Sequence, residues 1–411
     1  MSFEDAPKLK ACDVATIAGS PAVSPRQMGA LAGLSPLVLI ICCGFTAIAM
    51  PLPVLPIEVH DIFGLGVAAG GFAVGAQSLA TVLTRHLAGG VADRKGPKAA
   101  VLAGLPLASL AGLAYLLAIW LPLPPSSGFA LLIAGRFVLG FAESLFLTGS
   151  MSWGIGRIGP ERTGKVMAWQ GIAIYAALGI GAPMGLWLRQ LVGFGAVGIA
   201  TSVLPLIALL IASRIGPVPP APIERVPFHR VFGLIWRPGL VLAFATAPYA
   251  AMASFLALDY ASRDWEGAGV ALTAFALSFI LMRVFFAHLP DRLGGLPVAG
   301  VSLLVEGIGQ ALIWRAPSAL VALCGAALSG LGFSLVFPAM GVLATRRASP
   351  SQRGRAVGNY VAFFDLAIGT TAPLAGWLAS GFGYPAIFLG GVASIAFALL
   401  SLLGVANNAR C

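Results

Sequence analysis

Twelve long apolar stretches run through this chain of 411 residues. A helix needs about 20 apolar residues to cross a hydrocarbon core of ~30 Å. Continuous runs of this length favour helices, because the strands of a membrane barrel would alternate apolar and polar residues over about ten positions. The predicted membrane-spanning helices lie near residues 33–57, 65–90, 98–121, 128–152, 165–190, 195–214, 238–260, 268–289, 296–315, 318–341, 355–380 and 384–405.

The composition of the chain excludes the soluble alternatives. Hydrophobic residues make up 58% of the sequence and charged residues only 10%, more apolar surface than a soluble protein of this length can bury. The apolar content is too high for a disordered chain, 52 Gly and 29 Pro are too many for a coiled coil, and five Cys are too few for a disulfide scaffold. The sequence therefore predicts an all-α, multi-pass membrane protein.

The positive charge of the chain is concentrated in one set of loops. A net charge of +10 would by itself fit a nucleic-acid-binding protein. If both termini lie on one side, however, 21 of the 25 Lys and Arg residues fall in segments on that side, and only Arg189, Arg263 and Arg315 fall on the other. Short basic loops are retained in the cytoplasm, so we expect cytoplasmic termini and no nucleic-acid partner. The first residues lack the apolar core of a signal peptide, which predicts a cytoplasmic tail.

The two parts of the chain repeat each other. Residues 179–188 and 369–378, which are 190 positions apart, coincide at five places, and a charged loop recurs 198 positions later. Two parallel halves of six helices that rock around a central site are a known transporter architecture. The coinciding pairs are Gly179/Gly369, Ala182/Ala372, Pro183/Pro373, Trp187/Trp377 and Leu188/Leu378, followed by Arg85/Arg283, Asp93/Asp291, Arg94/Arg292 and Gly96/Gly294. The predicted organisation is a tail over 1–32, a bundle over 33–214, a cytoplasmic linker over 215–237, a bundle over 238–405 and a tail over 406–411.

These repeated motifs resemble those of the major facilitator superfamily over essentially the whole chain after residue 30. The Gly-x-x-x-Asp-Arg-x-Gly-x-Lys/Arg loop signature of that family is present at residues 89–98, and its Arg-x-x-x-Gly pattern is present as Arg136 and Gly140. The fifth helix is similar to the proline-glycine signature of the proton-coupled exporters, but it has Gly-Ala-Pro-Met-Gly at 181–185 where the strict pattern is Gly-Pro-x-x-Gly-Gly. The residues that carry this helix-packing motif are Gly179, Gly181, Pro183, Gly185 and Pro373.

The repeated charged loops predict a cytoplasmic gate. Gly96 and Gly294 suit the reversal of direction between two helices. Asp93 and Asp291 are placed to accept hydrogen bonds from the N-termini of neighbouring helices, which would hold the cytoplasmic face closed. The alternative is that these charges fix only topology and turn geometry. The candidate gate residues are Arg85, Gly89, Asp93, Arg94, Gly96, Lys98, Arg283, Asp291, Arg292 and Gly294.

Three charges inside the predicted spans are candidates for proton coupling or substrate binding. Arg136 and Glu143 share one face of the fourth helix, although seven residues, or ~10 Å of rise, separate them. A charge at this depth is costly unless it faces protein or water, which makes it a functional candidate. The repeat has uncharged residues at the matching positions, so the fold requires neither charge.

Asp365 in the eleventh helix is the third of these charges, and its counterpart in the first half is Tyr175. It lies at a depth similar to that of Glu143, and a carboxylate buried there can exchange a proton. The alternatives are a structural ion pair for Glu143 and a hydrogen-bonded packing role for Asp365. Glu306 in the ninth helix is a further buried acid for which we expect a local polar contact.

Two motifs typical of soluble enzymes are rejected. The pattern Gly154-x-Gly156-x-x-Gly159 follows a membrane helix instead of a strand, and Val166 stands where a phosphate loop needs Ser or Thr. The four His and five Cys show no metal-ligand spacing. We therefore expect no cofactor, no metal and no enzymatic activity.

The resemblance implies a twelve-helix secondary transporter in a bacterial inner membrane. We expect proton-coupled efflux of a small organic solute by a monomer, with protons and the lipid bilayer as its other partners. The alternatives are uptake of a sugar or organic acid by symport or facilitation, and a membrane sensor or lipid-handling protein on the same fold. The aromatic residues Tyr115, Trp169, Tyr175, Phe333 and Tyr360 either line a cavity or pack.

Overall fold

The protein is all-helical in a computed structural model that describes residues 30–159, 162–219, 228–346 and 353–410. Fourteen helices, and no strand, occupy these residues. They are α1 (Ala30–Ala49), α2 (Leu55–Asp61), α3 (Val67–Lys95), α4 (Pro97–Trp120), α5 (Pro125–Ile158), α6 (Thr163–Val192), α7 (Phe194–Arg214), α8 (Phe228–Ser262), α9 (Ala268–Phe286), α10 (Leu289–Leu293), α11 (Gly295–Trp314), α12 (Ala319–Arg346), α13 (Arg353–Phe382) and α14 (Tyr384–Arg410).

The predicted all-α membrane fold is confirmed. Among the described helices, 11 are long and apolar enough to cross a membrane, and a shorter apolar segment, Gly33–Ala49, lies in α1. With α1, twelve helices correspond to the twelve predicted spans, and only α2 and α10 are shorter than ten residues. The helices form the two six-helix halves of the predicted fold, α1–α7 and α8–α14. Residues 1–29 of the predicted N-terminal tail, residues 220–227 of the predicted linker and residues 347–352 after α12 lie outside the described residues.

The first span ends earlier than the predicted boundary at residue 57. Helix α1 stops at Ala49 and α2 begins at Leu55. Pro51 and Pro53 lie between them, and proline lacks the N–H that an uninterrupted helix would need there. Two proline rings therefore convert one predicted helix into a long and a short one.

The first charged loop is shorter than the stretch left between the predicted spans 65–90 and 98–121. Helix α3 continues to Lys95 and α4 begins at Pro97, so a single residue, Gly96, makes the turn with φ of +92°. Gly294 makes the equivalent turn between α10 and α11 with φ of +90°. A residue with a Cβ is strained in this conformation, which explains why both copies of the motif have glycine there. We call the end of the bundle that holds Asp93 and Asp291 the motif end.

The two halves meet along two seams. In the first seam α3 packs against α13, where a Cβ on Gly75 would lie 2.6 Å from the carbonyl oxygen of Gly369 and 2.7 Å from the ring of Pro373. In the second seam α6 packs against α9, where the hydroxyl of Thr273 donates to the carbonyl of Gly179 at 3.1 Å. These backbones approach closely because small residues line both seams.

The residues of the proposed packing motif fall into two groups. Gly179, Pro183 and Pro373 lie at the seams, where Pro183 contacts Gly269 of α9. Gly181 and Gly185 instead pack within the first half, where a Cβ on Gly181 would lie 2.8 Å from the Cβ of Ala49 at the end of α1, and Gly185 lies against Met50. The motif therefore packs helices both between the halves and within one of them.

Candidate functional site

Glu143 is buried between α5 and α3, with 8% of its surface exposed. Its Oε2 accepts one hydrogen bond from Nε2 of Gln77 at 2.8 Å and another from the hydroxyl of Thr81 at 3.1 Å. Thr81 also bonds to the carbonyl of Gly140, one turn before Glu143. Both donors lie on α3, so they hold the carboxyl group of Glu143 against that helix.

The two donors and Arg85 form one stripe on α3. Gln77, Thr81 and Arg85 are four residues apart, a spacing that places them on a single helix face. Gln77 on this face bonds to Glu143 of α5, and Arg85 bonds to α13. Gln77 and Thr81 were missed by the sequence analysis, and their spacing from Arg85 was the signal that would have identified them.

Asp365 and Arg85 form an ion pair that joins the two halves. Nη2 of Arg85, on α3, donates to Oδ2 of Asp365, on α13. Asp365 is 4% exposed and lies within electrostatic range of Glu143. Arg85 was predicted to belong to the gate and Asp365 to the coupling site, and the structure brings the two together. We call Gln77, Thr81, Arg85, Glu143 and Asp365 the polar cluster.

Arg136 lies apart from the polar cluster and is fully buried. Its Nε donates to the carbonyl of Ala73 at 2.8 Å, its Nη2 to that of Val74 at 3.1 Å and its Nη1 to the hydroxyl of Tyr115 at 3.2 Å. It pairs with no carboxylate among the described residues. Arg136 therefore ties α5 to α3 and α4, and it does not provide the structural ion pair that was the alternative for Glu143.

The predicted gate residues separate into an exposed group and a buried group. Asp93 and Arg94 are exposed at the end of α3, and Asp291 and Arg292 are exposed in α10. Lys98 donates to the carbonyl oxygens of Ser213 and Ile215 at 2.9 and 2.6 Å, which ties α4 to the end of α7. The members that face the interior of the bundle are the half-buried Arg85 and its buried repeat Arg283.

Six aromatic rings surround the middle of the second seam. Tyr175 comes from the first half and stacks on Phe279 of the second half with ring centroids 3.6 Å apart. Only Tyr175 and Phe333 of this group were named by the sequence analysis, since aromatic residues at helical spacing more often pack in a core. We call the group the aromatic cluster, and it comprises Tyr175, Tyr249, Phe275, Phe279, Phe333 and Phe364.

Arg283 borders the aromatic cluster and Glu306 is buried in α11. The guanidinium of Arg283 lies 5.0 Å from the ring centre of Phe279, and its Nη2 donates to the carbonyl of Ser334 at 2.7 Å. Glu306 is 1% exposed, and its Oε2 has no hydrogen-bond partner among the described residues. Nearby on α11, Nε2 of Gln310 donates to the hydroxyl of Ser329 at 2.9 Å.

The remaining sequence motifs show no site of another kind. No group of three or more His, Cys, Asp or Glu side chains lies together in the part of the chain that the structure describes. The glycine-rich pattern at 154–159 forms the end of α5 and the turn after it. Part of the phosphate-loop-like segment, residues 160 and 161, lies outside the described residues.

Comparison with known proteins gives the family of the chain. The family model described as Major Facilitator Superfamily matches residues 37–263 and 249–408. An uncharacterized MFS-type transporter of Salmonella typhimurium strain LT2 is 43% identical over 345 residues, which cover 84% of this chain and 89% of the relative. An uncharacterized MFS-type transporter of Burkholderia mallei strain SAVP1 is 41% identical over 367 residues, which cover 89% of this chain and 90% of the relative.

Two solved structures share the arrangement of helices. A point mutant of the nucleoside transporter NupG superposes with a TM-score of 0.72 at 15% identity, covering 91% of this chain and 99% of that one. The human organic anion transporter MFSD10 (TETRAN) superposes with a TM-score of 0.70 at 17% identity, with the same coverage. At these identities the likeness concerns the fold alone.

Proposed function

The chain belongs to the major facilitator superfamily and is a multi-pass secondary transporter of a solute, and from this premise we propose that it exports a small organic solute in exchange for protons. The observation that carries the proposal is the polar cluster. It places two buried carboxylates, one from each half, within electrostatic range of each other and of the guanidinium of Arg85.

The polar cluster suits proton coupling because its contacts depend on how the two halves are arranged. Asp365 is held by Arg85 across the seam, whereas Glu143 is held by donors of its own half. When the halves rock, the Arg85–Asp365 pair separates and the charge facing each carboxylate changes. A carboxylate that loses its cationic partner in a buried site binds a proton more readily, which links proton uptake to the conformational change.

Export is supported by the resemblance of α6 to the exporter signature, in which Gly181 packs against the end of α1 and Gly185 packs against Met50, the next residue. Transport in everted membrane vesicles tests the direction. With a pH-sensitive dye and an acidified lumen, addition of an exported solute should release protons from the vesicles. A panel of sugars, organic acids and cationic compounds that produced proton movement only in right-side-out vesicles would favour uptake by symport.

We further propose that the exposed charges at the motif end form the gate. Replacing Asp93 by Asn should leave the protein folded and inserted but lower transport at least about tenfold, the effect of losing one charged hydrogen bond in one conformation. Asp264→Asn is the matched control, because Asp264 is exposed at the other end of the bundle and its φ of +53° also suits Asn. Equal transport by the two variants would reduce the motif to a determinant of topology.

We also propose cytoplasmic termini, which the basic loops support. We further propose a bacterial inner membrane, in line with the bacterial relatives, and a monomer with the domain boundaries given above. In a background without native cysteines, Lys95→Cys at the motif end should react with a membrane-impermeant maleimide only after cells are opened. Glu266→Cys, exposed at the other end, should react in intact cells. Labelling of Lys95→Cys in intact cells would show that the orientation is the reverse of the one proposed.

A further inference from the structure

Arg283 is buried and has no carboxylate partner among the described residues. Its counterpart in the other half, Arg85, has one. Arg85 and Arg283 are 198 positions apart in the duplicated chain, and Asp365 and Tyr175 are 190 apart. In the first seam, Arg85 of α3 pairs with Asp365 of α13. In the second seam, the position that matches Asp365 is Tyr175 of α6, so the corresponding carboxylate is missing from the protein.

The contacts of Arg283 leave its charge unbalanced. It is 6% exposed, and among the described residues it makes no ion pair. Nη2 is bonded to the carbonyl of Ser334, and the Nε atom is buried without a hydrogen-bond partner in the described part of the chain. Arg136 differs, because each of its three nitrogen atoms donates to an oxygen. A buried charge without an opposite charge is costly, which makes Arg283 a candidate for a ligand anion.

Helix α6 leaves room beside this guanidinium. Gly171 lies one turn before Tyr175, and a Cβ on Gly171 would lie 3.3 Å from Nη1 of Arg283. Any larger side chain at 171 would therefore cover Nη1. No described oxygen accepts a hydrogen bond from Nη1, so Nη1 remains for a ligand.

The aromatic cluster beside Arg283 supplies an apolar surface for the rest of such a ligand. Tyr175 is the one ring that comes from the first half, and the other five come from the second. Rocking of the halves would separate Tyr175 from Phe279 and open the stack between them. The hydroxyls of Tyr175 and Tyr249 bond to no other described residue and can serve the polar edge of a ligand.

We propose that Arg283 binds the carboxylate of an aromatic organic anion, with Gly171 and the aromatic cluster forming the rest of the substrate site. The proposal deepens the transport function given above by naming the class of solute. A guanidinium whose Nη1 has no protein acceptor matches a single negative charge, and a carboxylate oxygen can accept a charge-assisted hydrogen bond from that nitrogen. The ring system of the solute would then stack between Tyr175 and Phe279.

The test is equilibrium binding to the purified full-length protein in lipid nanodiscs, without any proton gradient. The probes are 1-naphthoate, 1-naphthalenemethanol and 1-naphthylmethylamine, which share a ring system and differ in charge. We expect 1-naphthoate alone to raise the midpoint of thermal unfolding in a saturable way. Stabilisation by the amine or the alcohol to the same extent, or none by 1-naphthoate up to its solubility limit, would overturn the proposal.

Variants at Arg283 and Gly171 locate the binding. Arg283→Gln should weaken 1-naphthoate binding at least about tenfold, as expected for loss of a charged hydrogen bond. Gly171→Ala should weaken it while leaving the guanidinium in place. Arg315→Gln is the matched control, because Arg315 is exposed beside Trp314 and far along the chain from the seam. Unchanged binding by Arg283→Gln would place the anion elsewhere.

A substitution at Tyr175 tests the symmetry argument directly. Tyr175→Asp supplies the carboxylate that the repeat lacks, so it should abolish 1-naphthoate binding and leave a folded protein, whereas Tyr175→Asn should retain measurable binding. Equal binding by both variants would contradict the proposal. Because these measurements need no gradient, their failure leaves proton coupling untouched, and failure of the vesicle assay leaves the binding result untouched.

Discussion

Glu143→Gln should abolish proton-driven transport while exchange of one substrate molecule for another continues. Gln has nearly the size of Glu, and its carbonyl oxygen can accept the hydrogen bonds from Gln77 and Thr81. The variant therefore keeps the contacts between α3 and α5 but stays in a neutral state that imitates the protonated carboxylate. Transport steps that require release of the proton therefore stop. The conformational change of the substrate-bound protein continues in both directions, which is all that substrate exchange needs.

The measurement compares gradient-driven transport and counterflow in the same proteoliposomes. Glu306→Gln is the matched control, because Glu306 is also a buried Glu but lies on α11 and makes no hydrogen bond to the polar cluster. We expect this control to retain gradient-driven transport. Full transport by Glu143→Gln together with its loss in Glu306→Gln would move the coupling role to Glu306.

The sequence could identify Glu143 and Asp365 because each is a charge that the repeat lacks. It could not identify their surroundings. Arg85 and Asp365 are 280 residues apart, and no local pattern tells which helices of two halves meet. The seam between α3 and α13 depends on the small residues of both helices, including Gly75 and Gly369, and only the folded structure relates them.

Arg136 shows the opposite limit of the sequence argument. Its position one turn from Gly140, on the face shared with Glu143, suggested a functional charge, yet its three donors are used by Ala73, Val74 and Tyr115. Backbone carbonyls carry no sequence signal, so this partnership was invisible beforehand. The aromatic cluster was missed for a related reason, since Tyr249 and Phe279 have the same helical spacing as ordinary core residues.

The Arg85–Asp365 ion pair should behave as one unit in a double-mutant cycle. Removing one partner of a buried pair leaves an uncompensated charge, so Arg85→Gln and Asp365→Asn should each lower the free energy of unfolding by about 3–5 kcal/mol. The double variant has no stranded charge, and we expect it to recover most of that loss. Thermal unfolding of the four proteins in detergent gives the coupling energy.

The cycle also separates stability from coupling, because the pair crosses between the halves. The neutral double variant should be well folded but should fail to couple proton and solute movement. Without the two charges, no electrostatic attraction opposes the separation of α3 from α13. Arg263→Gln with Asp259→Asn provides the control, because that pair lies four residues apart at the end of α8 and crosses no seam. It should change stability at most modestly and leave coupling intact. Additive losses in the Arg85–Asp365 cycle would show that the two side chains do not stabilise each other. Full coupling in the double variant would show that transport does not use this ion pair.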